Sequence, residues 1–374
     1  MKTICHTLIA YGNKNQSYTT QLLDSLNDFD ENYHFVFCHV SLKTNEGIDV
    51  IQSKNLSIWK SFLCFLKLYF TDNNFKNLLQ QLGFRKTHKW LELLCLKIDV
   101  LHLHHLHALP KELIDYFYNK EIKLITTLRG RDLLINTKEE TYVNEVFYKL
   151  KKMSAIHTIS NYMEKELKSK FNLDSRIIYR GLNDPLRKNV KVSNEVLDVI
   201  KIIIVGRLVW EKGHIYIIES LNRLILKGYK FSIDIYGDGP LKEFLNFRII
   251  QLGLVKSINL KGYVNNNKLK TIYKNYNLAV QPSLSEALSN GLIDFMMHDL
   301  PCVVSNVGGM TEVIIDNKNG VVFDISKFSD IDDAILLALD LNFLELKKFN
   351  NLHKTKFERK YEVKQLNNLY VIDD

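Results

Sequence analysis

From residue 199 onward the chain alternates short β-branched apolar runs with longer stretches whose apolar positions recur at helical spacing. The runs are Val199 to Val205, Phe231 to Tyr236, Ile258 to Val264, Leu278 to Gln281 and Cys302 to Ser305. This alternation predicts a parallel sheet with crossover helices. The first half keeps the rhythm less cleanly. Strands are expected there at Ile4 to Ala10, His34 to Val40, Asp99 to Leu103, Lys123 to Leu128, Ala155 to Ile159 and Arg176 to Tyr179. The polar stretch Gly181 to Asp198, which contains Pro185 and has no sustained periodicity, reads as a linker between two similar α/β halves.

At 374 residues the chain exceeds the size at which one core usually stops growing, which agrees with two domains. The expected division is 1–190 and 191–355, with a terminal helix at 356–374 returning to the first domain. Apolar residues make up 46% and charged residues 25%, the balance of a globular protein rather than a disordered one. The five cysteines, Cys5, Cys38, Cys64, Cys95 and Cys302, are odd in number, scattered and without a Cys-x-x-Cys pair. That spacing argues against a disulfide framework and a structural zinc site, and points to a reducing cytoplasm. The apolar opening, Thr3 to Tyr11, is interrupted by His6 and reads as a first strand rather than a signal peptide.

The net charge of +8 is uneven: residues 1–190 hold 27 Lys+Arg against 20 Asp+Glu, and the remainder 23 against 22. A nucleic-acid partner would require base-stacking aromatics or a reading helix in the basic half, and neither is found. No apolar window reaches the roughly 20 residues needed to span a bilayer, so membrane contact would be peripheral, at the inner face. The segment Ile58 to Lys97 is rich in Trp, Phe and Leu and carries Lys60, Lys67, Lys76, Arg85, Lys86, Lys89 and Lys97 against only Asp72 and Glu92. It reads either as helices packed on the first core with a solvated basic rim or as a patch for an anionic membrane surface.

Chemistry concentrates at two turns. The strand Ile202 to Val205 runs into Gly206-Arg207-Leu208-Val209-Trp210-Glu211-Lys212-Gly213, which leaves Arg207 and Lys212 beyond the strand's carboxyl edge, where open α/β sheets bind ligands. Two cations beside a helix N-terminus suit a diphosphate, and equally suit a solvated surface. In Pro282 to Asp294, Glu286 lies in a loop after a strand, Ser289 or Asn290 can cap a helix, and Asp294 falls in that helix's first turns. Such a loop suits a polyhydroxyl ligand carrying phosphate, although a capped helix with two surface acids gives the same pattern.

Together these pieces resemble the donor domain of family 4 retaining glycosyltransferases of the GT-B fold, in which two Rossmann-like domains face across a cleft. The resemblance is carried by Val205-Gly206-Arg207-Leu208, Glu211-Lys212-Gly213, Gly237-Asp238-Gly239-Pro240, Gly262-Tyr263-Val264, Pro282-Ser283-Leu284-Ser285-Glu286, Pro301-Cys302-Val303-Val304, Val307-Gly308-Gly309, Thr311-Glu312-Val313 and Asn319-Gly320. It implies that Arg207 and Lys212 hold the diphosphate of a nucleotide-sugar, UDP-linked by preference, and act with Glu286 as the catalytic set. Glu286 would meet the transferred sugar's hydroxyls. Leu288, Ser289, Asn290 and Gly291 would face sugar and phosphates, with Gly206 and Tyr263 also lining the donor. Asp294 takes the place of the family's ribose-binding Glu, Ala287 the place of a Gly, and Asp299 that of a helix-ending Gly.

In the first half, Gly12 sits where the family carries two glycines near the phosphates, with Asn13 interrupting the pair, and Arg129-Gly130-Arg131-Asp132 matches the family's His-Gly-x-Asp. Arg129 thus replaces an active-site His and, being permanently charged, cannot relay a proton. Its side chain is expected either to meet an anion on donor or acceptor, or to face solvent or pair with a neighbouring acid such as Asp132. His102, His104, His105 and His107 lie where the family often has His-x-His and are expected to be buried or at an interface. The Asp-x-Asp at Asp330-Ile331-Asp332 follows the donor motifs on an expected helix, so neither a metal nor a cofactor is expected. The activity implied is retaining transfer to a lipid-linked or surface polysaccharide or lipopolysaccharide acceptor. The alternatives are another GT-B enzyme, such as an epimerase or small-molecule glycosyltransferase, and a catalytically weak nucleotide-sugar-binding protein.

Overall fold

Strand β1 (Thr3–Tyr11) pairs in parallel with β2 (Tyr33–Ser41) on one side and β4 (Val100–Leu103) on the other, with Ile4 opposite both His34 and Val100. Adding β3 (Asp49–Gln52), β5 (Lys123–Leu128), β6 (Ala155–Thr158) and β7 (Arg176–Ile177) gives a parallel sheet in the order β3-β2-β1-β4-β5-β6-β7. A second parallel sheet is built from β8 (Ile200–Val205), β9 (Phe231–Tyr236), β10 (Ile258–Gly262), β11 (Leu278–Gln281), β12 (Cys302–Ser305) and β13 (Gly320–Phe323), in the order β10-β9-β8-β11-β12-β13. Both orders reverse next to their first strand, the doubly wound pattern that opens a ligand crevice between β1 and β4 and between β8 and β11. The computed structural model describes residues 2–11, 17–29, 32–41, 48–53, 58–135, 139–183, 198–327 and 329–371.

The central strands form because their β-branched runs are covered on both faces. Ile202, Ile203 and Ile204 are all buried, and the core around Ile202 and Ile204 gathers Ile217, Leu221, Ile233, Val280, Val303 and Ile335. β3 and β13, each a four-residue strand at a sheet edge, are not among the expected strands. β10 stops at Gly262, short of the expected Val264, as Gly262 takes a left-handed φ of 71°.

The chain divides into two units, one of residues 1–159, 163–178 and 362–374, the other of 160–162 and 179–361. The change falls between Ile178 and Tyr179, ahead of the expected 190, because Leu182 is already tied to the second unit's closing segment. Its N–H donates to Phe357 O at 2.8 Å and its carbonyl accepts from Arg359 N at 2.9 Å. The expected linker falls mostly outside the described residues. From the helix Arg359–Val371, Val363, Leu366, Leu369 and Tyr370 pack with Ile4, Leu23 and Val36 in the first unit's core.

The segment from Ile58 folds as helices Ile58–Thr71, Asn73–Leu82, Phe84–Thr87 and Leu91–Cys95. Leu68, Phe75, Leu78, Trp90 and Leu93 point into the core, and the Asp72 carboxylate caps the second helix by accepting from Phe75 N at 3.2 Å. Here the cysteine reading is corrected: Cys64 and Cys95 form a disulfide, their Cα atoms 6.3 Å apart. The pair is 31 residues apart in sequence and meets only because the helices fold back on one another. Cys5, Cys38 and Cys302 are buried and lie outside that bridge.

Candidate active site

The loops after β8 and β11 meet at the second sheet's switch point. Two glycines permit the approach from opposite sides. Gly213, at φ 64°, lies where an added Cβ would be 2.0 Å from Pro282 O, and Gly308, at φ 58°, where it would be 1.7 Å from Glu286 O. Leu284 N donates to Glu211 O at 2.7 Å, and Ser305 Oγ to Ser283 O at 2.6 Å, fixing the Glu286 loop between its neighbours. Lys212, at the end of the short helix Trp210–Lys212, is thereby brought against Glu286, and the two form a charge-assisted hydrogen bond. Arg207 is exposed at the same strand end, and its carbonyl accepts from the ring of His214 at 3.0 Å. Burial and the Lys212 charge lower the His214 pKa to about 4, although the bond to Arg207 O works the other way, so this ring is neutral.

Ser289 is the N-cap of the helix Asn290–Met297: its Oγ accepts from Leu292 N at 3.3 Å and is held by Gln281 at 2.7 Å. Of the remaining residues expected to line a donor, Leu288 and Ser289 are buried, Gly206, Asn290 and Gly291 are partly buried, and Tyr263 is exposed. Asn290 Oδ1 accepts from Arg180 at 3.2 Å. Asp294 lies on the covered side of the helix, 6% exposed, with the buried Tyr273 hydroxyl at 3.4 Å and Lys270 Nζ at 3.9 Å. Burial pushes its carboxyl above the usual range, with Lys270 pulling the other way. Gly12 and Asn13 lie outside the described residues. Asp299 keeps the left-handed φ of 58° that a helix-ending Gly would adopt, and its carboxylate accepts from Asn350 at 3.1 Å.

Asp332, the second acid of Asp-x-Asp, is buried on the helix Asp330–Leu339, bonded to Ser220 at 2.6 Å and to Arg223 at 2.7 and 2.8 Å. That is an internal ion pair tying two helices together.

Sequence reasoning missed Glu312 as an organiser. Its carboxylate accepts from Asn161 N and Tyr162 N at 2.8 Å each and from the Tyr179 hydroxyl at 2.7 Å. The Thr311-Glu312-Val313 piece was the available signal.

In the first unit, Arg129 follows β5 and donates to Thr19 Oγ1 and to His104 Nδ1, the latter at 2.8 Å. Asp132 is bonded instead to His107, 3.1 Å away, so the expected Arg129–Asp132 pairing is replaced. Because a guanidinium only donates, His104 must carry its proton on Nε2, which donates to His6 Nδ1 at 3.0 Å; His6 Nε2 in turn donates to His34 Nδ1 at 2.9 Å. A second directed chain runs from the Tyr370 hydroxyl to His102 Nδ1 at 2.8 Å, from His102 Nε2 to Thr127 at 2.7 Å, from Thr127 to His157 Nδ1 at 2.9 Å, and from His157 Nε2 to Ile178 O at 2.9 Å. Burial, followed by the neighbouring rings and, for His102 and His104, the Arg129 charge, lowers the pKa values of His6, His102 and His104 well below the usual imidazole range. These three rings bring nitrogens within 4.8 Å of one another, a spacing open to a metal ion. The Arg129 cation beside them opposes a divalent charge there. His102 and His104 are buried as expected, whereas His105 is partly buried and His107 is exposed.

Residues 187–356 match the family described as Glycosyl transferases group 1. An uncharacterized glycosyltransferase of Methanocaldococcus jannaschii is 32% identical over 178 residues, covering 44% of this chain and 45% of that relative. The match thus spans less than half of that relative's length. The Anabaena protein Alr3699/HepE, solved with UDP and glucose, superposes with a TM-score of 0.73 at 14% identity and covers all of both chains. The lipopolysaccharide outer core galactosyltransferase WaaB superposes at 0.69 with 15% identity, covering 98% of each chain. Residues 187–356 are therefore similar to a group 1 glycosyl transferase domain, and the chain has the GT-B fold.

Proposed function

We propose that this protein transfers a sugar from a UDP-linked donor to a lipid-linked or surface polysaccharide or lipopolysaccharide acceptor, with retention of anomeric configuration and without a metal. The Lys212–Glu286 pair at the switch point carries this reading, because it joins at one place a cation suited to a diphosphate and a carboxylate suited to sugar hydroxyls. When the donor enters, the pair separates. Lys212 and the exposed Arg207 turn to the diphosphate, while Glu286 accepts hydrogen bonds from the sugar. The charge that grows on the departing nucleotide then meets two fixed cations, which is where preorganised electrostatics lowers a barrier. The leaving phosphate helps take the acceptor hydroxyl's proton, so the chain's work is positioning and charge stabilisation.

The UDP- and glucose-bound neighbour supports the donor class, and the galactosyltransferase neighbour supports a surface-glycan acceptor. The test is turnover of UDP-, GDP- and ADP-sugars with lipid-linked acceptors, with the product's anomeric configuration read by NMR. Acceptor-dependent release of UDP and a retained anomer are expected, together with a fall in kcat of about a hundredfold in Arg207→Ala. An inverted product, a metal requirement or normal turnover by Arg207→Ala overturns the corresponding part. Donor epimerisation without acceptor overturns the transfer itself.

A further inference from the structure

The helix Ile58–Thr71 is apolar on the side that faces solvent. Trp59, Leu63, Leu66 and Phe70 recur at spacings of four, three and four residues, one stripe of an α-helix. Trp59 is 75% exposed, Leu63 61% and Phe70 74%, whereas Ser61 and Leu68 on the opposite side are buried. Phe62 and Tyr69 extend the stripe along one edge, and Lys60 and Lys67 line the other, all four exposed. Phe84 continues the surface by packing edge-on against Phe65 at 5.3 Å while remaining 56% exposed, and it brings exposed Arg85, Lys86 and Lys89 alongside. An exposed apolar patch rimmed by charge is characteristic of an interaction site.

The charges identify the occupant. Between Ile58 and Lys97 the only acids are Asp72 and Glu92, and neither opposes the rim. Asp72 is buried, bonded to Lys120 at 2.5 Å and to the Tyr116 hydroxyl at 2.7 Å. Glu92 is partly buried. The outer surface is thus cationic and aromatic together. A second copy would set lysines against lysines, whereas an anionic lipid layer neutralises them and accepts the aromatic side chains at headgroup depth.

We propose that this face docks the protein on an anionic membrane, with Trp59, Leu63 and Phe70 entering the headgroup region and Lys60, Lys67, Arg85, Lys86 and Lys89 holding lipid phosphates. This deepens the lipid-linked acceptor reading and depends on it only for why the enzyme sits at a membrane.

The test is flotation of the full chain with phosphatidylglycerol/phosphatidylcholine vesicles and with phosphatidylcholine vesicles, at low salt and at about 0.5 M NaCl. Binding is expected to the anionic vesicles alone, and to be lost at high salt. Lys60→Gln with Lys67→Gln lowers affinity on the order of thirtyfold. Trp59→Ser with Phe70→Ser lowers it by at least about tenfold. Every substituted side chain is exposed, so circular dichroism and UDP binding are expected to be unchanged. Equal binding to both vesicle types, unaltered binding by the variants, or a dimer dissolved only by Trp59→Ser with Phe70→Ser overturns the proposal. Vesicle binding without UDP binding overturns the donor reading and leaves this one standing. UDP binding without vesicle binding does the reverse.

Discussion

Lys212 and Glu286 neutralise one another across the switch point of the second sheet, their side chains 17% and 16% exposed. A diphosphate must compete with Glu286 for that ammonium. Glu286→Gln is therefore expected to bind UDP severalfold more tightly, since the cation is no longer engaged, while kcat falls by about a hundredfold through loss of the sugar contact. Calorimetry with UDP beside steady-state rates separates the two effects. Weaker UDP binding by Glu286→Gln would show that the carboxylate does not hold the lysine back.

Arg129 is expected to be structural. Its removal leaves the buried His104 Nδ1 without its charged donor, so Arg129→Met should lose about 1–3 kcal/mol of stability in urea unfolding. Arg129→Lys restores a charge but not the fork that reaches Thr19 and His104 together, and should recover only part of the loss. An unchanged urea midpoint in Arg129→Met would separate Arg129 from the histidine chain.

Acid should destabilise the fold before carboxylates titrate. His6, His102, His104 and His214 all have folded pKa values below that of an unfolded imidazole, near 6.5, so the unfolded state binds more protons as pH falls. Stability is complete above about pH 6.5 and declines below it, by up to about 1.4 kcal/mol per pH unit for each ring. For His214 the decline runs down to about pH 4. Urea midpoints at about pH 7.5, 6.5 and 5.5 should show a flat segment followed by a fall, and a flat line throughout would contradict neutral buried rings.

The Cys64–Cys95 bridge closes a loop across 31 positions, which in the chain-entropy model stabilises by about 3–4 kcal/mol. Cys64→Ser should lower the denaturation midpoint in step with that figure. The oxidised, unfolded chain should titrate three thiols, and the reduced chain all five. Five thiols without reductant would show that the bridge does not form.

The alternation that predicted parallel sheets was legible because a strand covered on both faces must be apolar throughout, as Ile202 to Ile204 are. The Ser289 cap was legible for an equally local reason, an acceptor placed just before a helix. The sequence put Glu286 in a loop and Asp294 in a helix's first turns without fixing which way either side chain faces. Asp294 lies beneath its helix against Tyr273, whereas Glu286 faces Lys212, because loop and helix positions turn their side chains differently.

What the sequence by itself determined is most of the strands and the loops at their carboxyl ends, since periodicity and turn chemistry act over a few residues. Tertiary structure decided which residues meet: His6 with His104 across 98 positions, His102 with Tyr370 across 268, and Cys64 with Cys95 across 31. These meetings depend on strand order, on the register that sets His6 beside His102, and on the return of the last helix to the first core. Such long-range pairings leave no local pattern, because their free energy comes from packing that exists only once the sheets are assembled.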